Sequence, residues 1–168
     1  MKYIKLLILG LLLVTACSPN EEYKDYTIEK SPVSEMASDW WVIALEPDGV
    51  TPAYGGDYVL MTTYNTGDND GKTMFIDDHQ NFFEFKTKID VNLSDKTFTG
   101  KDNVELYYDG EILLSNGSIT KNSYITTSGT AMDEIYFEAE IGRYAGTTYI
   151  FKGHKRSGFL QDENPNYE

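Results

Sequence analysis

Cysteine is nearly absent: Cys17 is the only one in 168 residues. A disulfide, a Cys-x-x-Cys redox pair and a cysteine zinc cluster are therefore excluded within one molecule. Histidine is almost as scarce, with only His79 and His154, which leaves little for imidazole catalysis or a metal site. Basic residues are outnumbered, 14 Lys and Arg against 27 Asp and Glu, for a net charge of −13. So acidic a chain repels phosphate backbones, and nucleic acid is not expected as a partner. Amphipathic helical spacing is missing beyond the first sixteen residues, and no long period repeats. No cofactor motif stands out. Asp68-Asn69-Asp70-Gly71, running on to Asp77, is a poor match to a calcium loop; its flanks read as strands, and a hairpin turn fits better. No metal is expected.

The one long apolar run lies at the start. Lys2 and Lys5 precede residues 6–14, which are almost wholly apolar, and Thr15-Ala16 are small. This is the layout of a secretory signal, and it is too short for a membrane span. Val14-Thr15-Ala16-Cys17 reads as a lipobox, so cleavage is expected before Cys17 and acylation on its thiol, with palmitate-type chains. Each buried methylene then contributes about 0.8 kcal/mol to membrane attachment. Removing residues 1–16 takes two lysines and moves the net charge from −13 to −15 over 152 residues. Residues 17–37, with Pro32 and few apolar anchors, read as a flexible tether. Residues 161–168 read as a disordered acidic tail. Asn20-Glu21-Glu22 fits either an acidic export tag or a solvated linker. The expected location is the cell envelope, as an outer-membrane lipoprotein on either face, with partner proteins or glycans at the surface.

Aromatics are the excess: 13 Tyr and 8 Phe favour strands and large apolar faces. Strand signals recur at residues 40–45, 58–64 and 72–77. Phe83, Phe85, Thr87, Ile89, Val91 and Leu93 alternate with polar residues, a period of two with a clear inner face. Residues 97–99, 104–108 and 111–115 continue the series, the last meeting Asn116-Gly117, a strong hairpin signal. Ile135, Phe137, Ala139 and Ile141 alternate in the same way, and residues 147–153 close a domain spanning 38–160. About eight short antiparallel strands predict an all-β domain, a closed up-and-down barrel or a sandwich. Closure is favoured because it removes exposed edges.

Five segments occur in a familiar order: Asp39-Trp40-Trp41-Val42, Tyr58-Val59-Leu60-Met61-Thr62-Thr63-Tyr64-Asn65-Thr66, Ile76-Asp77-Asp78, Asn116-Gly117, and Gly153-His154-Lys155-Arg156-Ser157-Gly158-Phe159. Over roughly residues 37–160 the chain resembles the bacterial lipoprotein family of lipid-binding putative hydrolases. That resemblance implies a lipocalin-like β-barrel, and it carries no catalytic residues that can be transferred. It also implies a cation over a first-strand indole, here Arg156 against Trp40 or Trp41, as a structural closure of the barrel floor.

Three functions remain open at this level. The first is binding of a lipid or other small apolar ligand in the barrel mouth, lined by Tyr64, Phe83, Phe85, Ile89, Phe137, Ala139 and Tyr149. A solid core would use the same residues. The second is a non-catalytic interaction or carbohydrate-binding surface using exposed aromatics such as Trp40, Trp41 or Tyr58. The third is a weak hydrolase acting on a lipid-like substrate. For it, Ser157, His154 and Asp77 or Asp78 make a nucleophilic set only on paper, since no Gly-x-Ser-x-Gly elbow exists. Asp77-Asp78-His79 is read as a solvated turn at a hairpin tip.

Overall fold

A computed structural model of the chain describes residues 29–163 and Pro165. The expected signal segment, Cys17 and the part of the expected tether up to residue 28 lie outside the described residues. Eight antiparallel strands follow one another: β1 (Ser38–Leu45), β2 (Val59–Asn65), β3 (Thr73–Asp77), β4 (Lys86–Asn92), β5 (Thr97–Glu105), β6 (Gly110–Ile125), β7 (Ala131–Ile141) and β8 (Thr148–Lys155). Each pairs with the next, and β8 pairs back on β1 in the register Trp41–His154 and Val42–Gly153. The result is a closed up-and-down barrel, not a sandwich.

The period-two faces point as expected. Phe85, Thr87 and Ile89 of the β4 side, and Ile135, Phe137, Ala139 and Ile141 of β7, are buried inside. Asn116-Gly117, expected as a hairpin turn, instead lies within the long strand β6, where the β6–β7 register shifts between Ser115 and Ser118. Asn116 takes a positive φ of 53° there, the mark of a bulge that bends a strand without ending it. Gly117 leaves room for the Phe98 ring, which a Cβ would strike.

The up-and-down path puts the β1–β2, β3–β4, β5–β6 and β7–β8 connections at one end, here called the aromatic end. The two chain termini leave from the other. At this terminal end the expected tether is corrected: Val33 and Met36 are core residues. Residues 31–37 form a turn that plugs the barrel floor, with the Thr63 hydroxyl donating to the Met36 carbonyl at 2.6 Å. Ser31 bonds Asn69, Lys96 pairs with Glu35 at 2.6 Å, and Lys121 donates to the Glu35 carbonyl. Two apolar side chains four positions or fewer apart were enough to seat a segment whose composition otherwise reads as linker.

The floor cation is corrected as well. Trp40 points inward and donates its indole N–H to Thr63 Oγ1 at 2.9 Å. Arg156 lies outside, bonded to Glu163 at 2.6 Å and 3.7 Å from Asp39. An exposed guanidinium gains more from two carboxylates than from an indole already buried under Val33 and Met36. The expected disordered tail is ordered as far as residue 163: Asp162 accepts from the Ser128 amide and hydroxyl and from the Ser157 hydroxyl. Burial alone would raise its pKa, yet these donors outweigh that and hold it down at about 2.

The seam that closes the barrel needs a glycine. A Cβ at Gly153 would collide with the Trp41 carbonyl and lie 2.8 Å from Val42 Cα. Gly153→Ala is expected to cost at least about 3 kcal/mol in urea unfolding, the upper range for forced overpacking. Gly67→Ala, with no atom within 4 Å of the added carbon, is the near-neutral control; equal effects of the two would refute the seam's dependence on Gly153.

Candidate functional site

The barrel interior is full. Phe82, Phe83, Phe85, Phe137, Phe151 and Ala139 are each 0–2% exposed, so no void as wide as a water molecule adjoins them. Phe137 and Phe151 stack in parallel with centroids 4.6 Å apart. Edge contacts then link Phe151 to Phe85 at 5.8 Å and to Phe82 at 6.0 Å. Of the expected lining residues, Phe83, Phe85, Ile89, Phe137 and Ala139 are inside and Tyr149 is half-buried at the rim. Tyr64 is corrected: it alternates out of phase with Met61 and Thr63 and lies on the outer wall.

Three of the interior rings do not come from strands, and one of them, Phe85, adjoins β4 directly. Phe82 and Phe83 belong to the β3–β4 loop, residues 78–85, which turns down into the aromatic end. Around them stand Tyr54 of the β1–β2 connection, at 5.2 Å from both, Tyr144 of the β7–β8 connection at 5.4 Å from Phe83, and Tyr149 at 4.7 Å. Tyr54 and Tyr144 are exposed, so this rim offers rings and phenol hydroxyls to solvent. Arg143 reaches across it, its guanidinium 4.4 Å above the Tyr108 ring. It donates to the carbonyls of Phe83 and Glu84 at 2.7 and 2.6 Å and to the Glu84 carboxylate at 3.1 Å.

The neck of the loop is Asp78. This residue was expected in a solvated turn, yet it is wholly buried. Its Oδ1 accepts from the Gln80 and Phe85 amides, so one carboxylate spans both ends of the loop. Its Oδ2 has no partner among the described residues. Burial pushes its pKa up to about 6 against those amide bonds, and neighbouring Asp77 adds to the rise.

Asp77 faces the other way, out of the barrel wall, and is buried by side chains laid over it. It accepts from the Tyr107 hydroxyl at 2.5 Å, the Tyr64 hydroxyl at 2.9 Å and the His79 amide at 2.8 Å. Burial alone would raise its pKa; these bonds more than reverse that and hold it below the usual range. The Tyr107 phenol is pushed well up by burial and then by Asp77. Lys86 lies 3.8 Å from Asp77 and over the faces of Tyr64 and Phe75. Beside this cluster His79 Nε2 sits 2.9 Å from Thr62 Oγ1, and its Nδ1 is 3.7 Å from Asp77. The hydroxyl–imidazole contact is thus made, and the imidazole–carboxylate hydrogen bond is not.

Ser157, His154 and Asp77 do not assemble. The Ser157 hydroxyl bonds Asp162 at 2.5 Å. His154 is buried on the outer wall of β8, stacked on Tyr124 at 4.1 Å. Asp77 belongs to β3, with β1 and β2 between. Sequence reasoning missed Phe82, Arg143, Tyr107 and Thr62. Only Phe82 carried a signal, since it breaks the alternation just where the inward pattern begins. No group of three metal-ligating side chains occurs among the described residues.

A family model described as lipid-binding putative hydrolase matches residues 25–160. The chain belongs to this family. No curated protein matches it. Family membership and the closed barrel together support lipid binding, and they direct attention to the end of the barrel where rings reach the surface.

The buried Asp78 gives the loop a pH signature. The unfolded chain loses this proton near 3.8 and the folded chain near 6. Between these values the folded state holds more protons, so this contribution makes stability fall as pH rises from about 4 to about 6. At pH 7 the cost is roughly 3 kcal/mol at 1.36 kcal/mol per unit. Asp78→Asn keeps an acceptor for both amides and carries no charge. It is expected to match the wild type near pH 4 and exceed it by roughly 1–3 kcal/mol at pH 7 in urea unfolding. A pH-independent difference would show that Asp78 is not the titrating group.

Proposed function

We propose that this protein is a membrane-anchored lipoprotein that binds a lipid or other apolar small molecule at the aromatic end of its barrel. The observation that carries the reading is the rim of Tyr54, Tyr144 and Tyr149 around Phe83, a ring-lined apolar surface edged by phenol hydroxyls, in a chain of a lipid-binding family. Apolar burial supplies about 25 cal/mol per Å² for such a ligand, and the hydroxyls and Arg143 can orient a polar group. The anchor is Cys17, on the strength of Val14-Thr15-Ala16-Cys17. The chain enters the barrel at the terminal end, so an anchor there leaves the aromatic end unobstructed. The outer membrane is the proposed location. A surface interaction module is less well supported, because Trp40 is buried inside the barrel. The test uses the full chain expressed with its signal. Cys17→Ser is expected to leave the membrane fraction, and native mass spectrometry of that variant is expected to show a bound lipid. Normal fatty-acid labelling of Cys17→Ser would overturn the anchor, and a lipid-free spectrum would overturn the binding.

A second reading, ester hydrolysis, is favoured by the 2.9 Å contact between Thr62 Oγ1 and His79 Nε2. A general base at that distance can take the hydroxyl proton as the oxygen attacks an acyl carbonyl and return it to the alcohol as the ester C–O bond breaks. Water, deprotonated by the same imidazole, then hydrolyses the acyl-threonine to the acid and the free hydroxyl. With a p-nitrophenyl ester of a long-chain acid, hydrolysis that His79→Asn lowers at least about 100-fold would support it. A rate equal in both proteins retires it.

A further inference from the structure

The β3–β4 loop offers the barrel the two features of a carboxylate-headed amphiphile. Phe82 and Phe83 supply an apolar body among Phe151, Tyr54 and Tyr149. Next to them the Glu84 carboxylate lies on Arg143, 3.1 Å from Nη1. We propose that residues 78–85 are a displaceable plug, and that Phe82, Phe83 and Glu84 occupy the place of a fatty acid, its chain within the aromatic end and its carboxylate on Arg143. This rests on the lipid-binding reading and names its ligand class.

Four observations support displacement. First, the interior rings of strands β7 and β8, Phe137 and Phe151, are fixed by the sheet, whereas Phe82 and Phe83 hang on a loop. Second, none of that loop's hydrogen bonds to the rest of the barrel is buried: Arg143 makes three, Gln80 donates to the Tyr108 hydroxyl at 3.2 Å, and His79 bonds Thr62 Oγ1 at 2.9 Å and, through its amide, the Asp77 carboxylate at 2.8 Å. The remainder are internal, between Asp78 and the amides of Gln80, Asn81 and Phe85. The loop can therefore swing on its neck with its own shape kept. Third, His79, Gln80 and Glu84 have φ of 54°, 60° and 54°. Three non-glycine residues in the left-handed region make this a conformation held by its packing. Fourth, withdrawing the loop bares a space of two phenyl side chains, room for a chain of about a dozen carbons by side-chain size. It also frees a guanidinium that forks onto a carboxylate. In a chain of net charge −13 a rim cation is the feature that favours an acid over a neutral lipid.

Lauric acid and dodecanol, equal in chain and different in head, are the probes, titrated into the folded protein by calorimetry. Phe83→Ala removes part of the plug and is expected to bind lauric acid at least tenfold more tightly than the wild type. Phe83→Trp keeps a ring of sufficient size at the rim, and its emission is expected to shift red as lauric acid saturates the site. The wild type is expected to prefer the acid to the alcohol at least tenfold, and Arg143→Gln to abolish that preference. Any effect of Arg143→Gln on how the loop is held is common to both probes and cancels in the ratio. Lauric acid that binds with the same affinity to Phe83→Ala and leaves the Phe83→Trp emission unchanged would overturn the plug while lipid binding stands. An acid-to-alcohol ratio unmoved by Arg143→Gln would overturn the head-group assignment. Failure of every variant to bind either probe would overturn both the plug and the lipid-binding reading beneath it.

Discussion

An eight-stranded barrel that pairs its last strand with its first has no edge to protect, and in exchange it has an inside and two ends to fill. Every other feature of this protein follows from how that space is filled. The strands alone do not do it. Val33 and Met36 close one end from the segment before β1, and Phe82 and Phe83 close the other from the β3–β4 loop. Closure itself depends on Gly153, because β1 and β8 approach so closely there that a Cβ would strike the Trp41 carbonyl. Sheet closure and end-filling are therefore coupled: the seam fixes the bore, and the bore decides which side chains fit.

The strands were legible in the sequence because period-two alternation is a local signal. Phe85, Ile89, Phe137 and Ala139 fall inside as their spacing says. What stayed hidden was set by contacts across the chain. Asn116-Gly117 has the chemistry of a hairpin, but the pairing of β6 with both β5 and β7 continues past it, so the left-handed residue becomes a bulge. Val33 and Met36 look like linker because only the finished floor gives them a partner. Asp77-Asp78-His79 looks solvated because three consecutive polar residues usually are. Here the two aspartates point to opposite sides of the wall, and each is buried by different neighbours. Adjacency in sequence separated them, as alternation requires.

That separation divides the chemistry of the barrel wall. Outside, Asp77 gathers tyrosine hydroxyls and the His79 amide, keeps its charge and ties β2 and the β5–β6 connection to β3. Inside, Asp78 has two amide donors and one oxygen without a partner, so its charge is costly. A group that costs stability when charged is an odd choice for a purely structural neck. An asparagine would accept from the same amides at no electrostatic cost.

The two plugs also differ in how they are held. The floor segment runs directly into β1, and it is fastened on several sides by Lys96 of the β4–β5 turn, Lys121 of β6, Asn69 of the β2–β3 connection and a buried bond from Thr63 of β2. The aromatic-end loop is fastened from outside itself by Arg143, by a long bond from Gln80 and by His79 to Thr62 and Asp77, and none of these bonds is buried. Local stability varies across a fold, and the parts that move are those whose hydrogen bonds are open to solvent. Backbone conformation points the same way, since the loop concentrates left-handed non-glycine residues that its packing must hold in place. A barrel that served only as a rigid spacer would gain by seating both ends alike. This one is closed by a buried hydrogen bond where the chain enters, and by solvent-open bonds on a strained backbone where its rings meet solvent, so that asymmetry of attachment, more than any cavity, marks the end at which a ligand can enter.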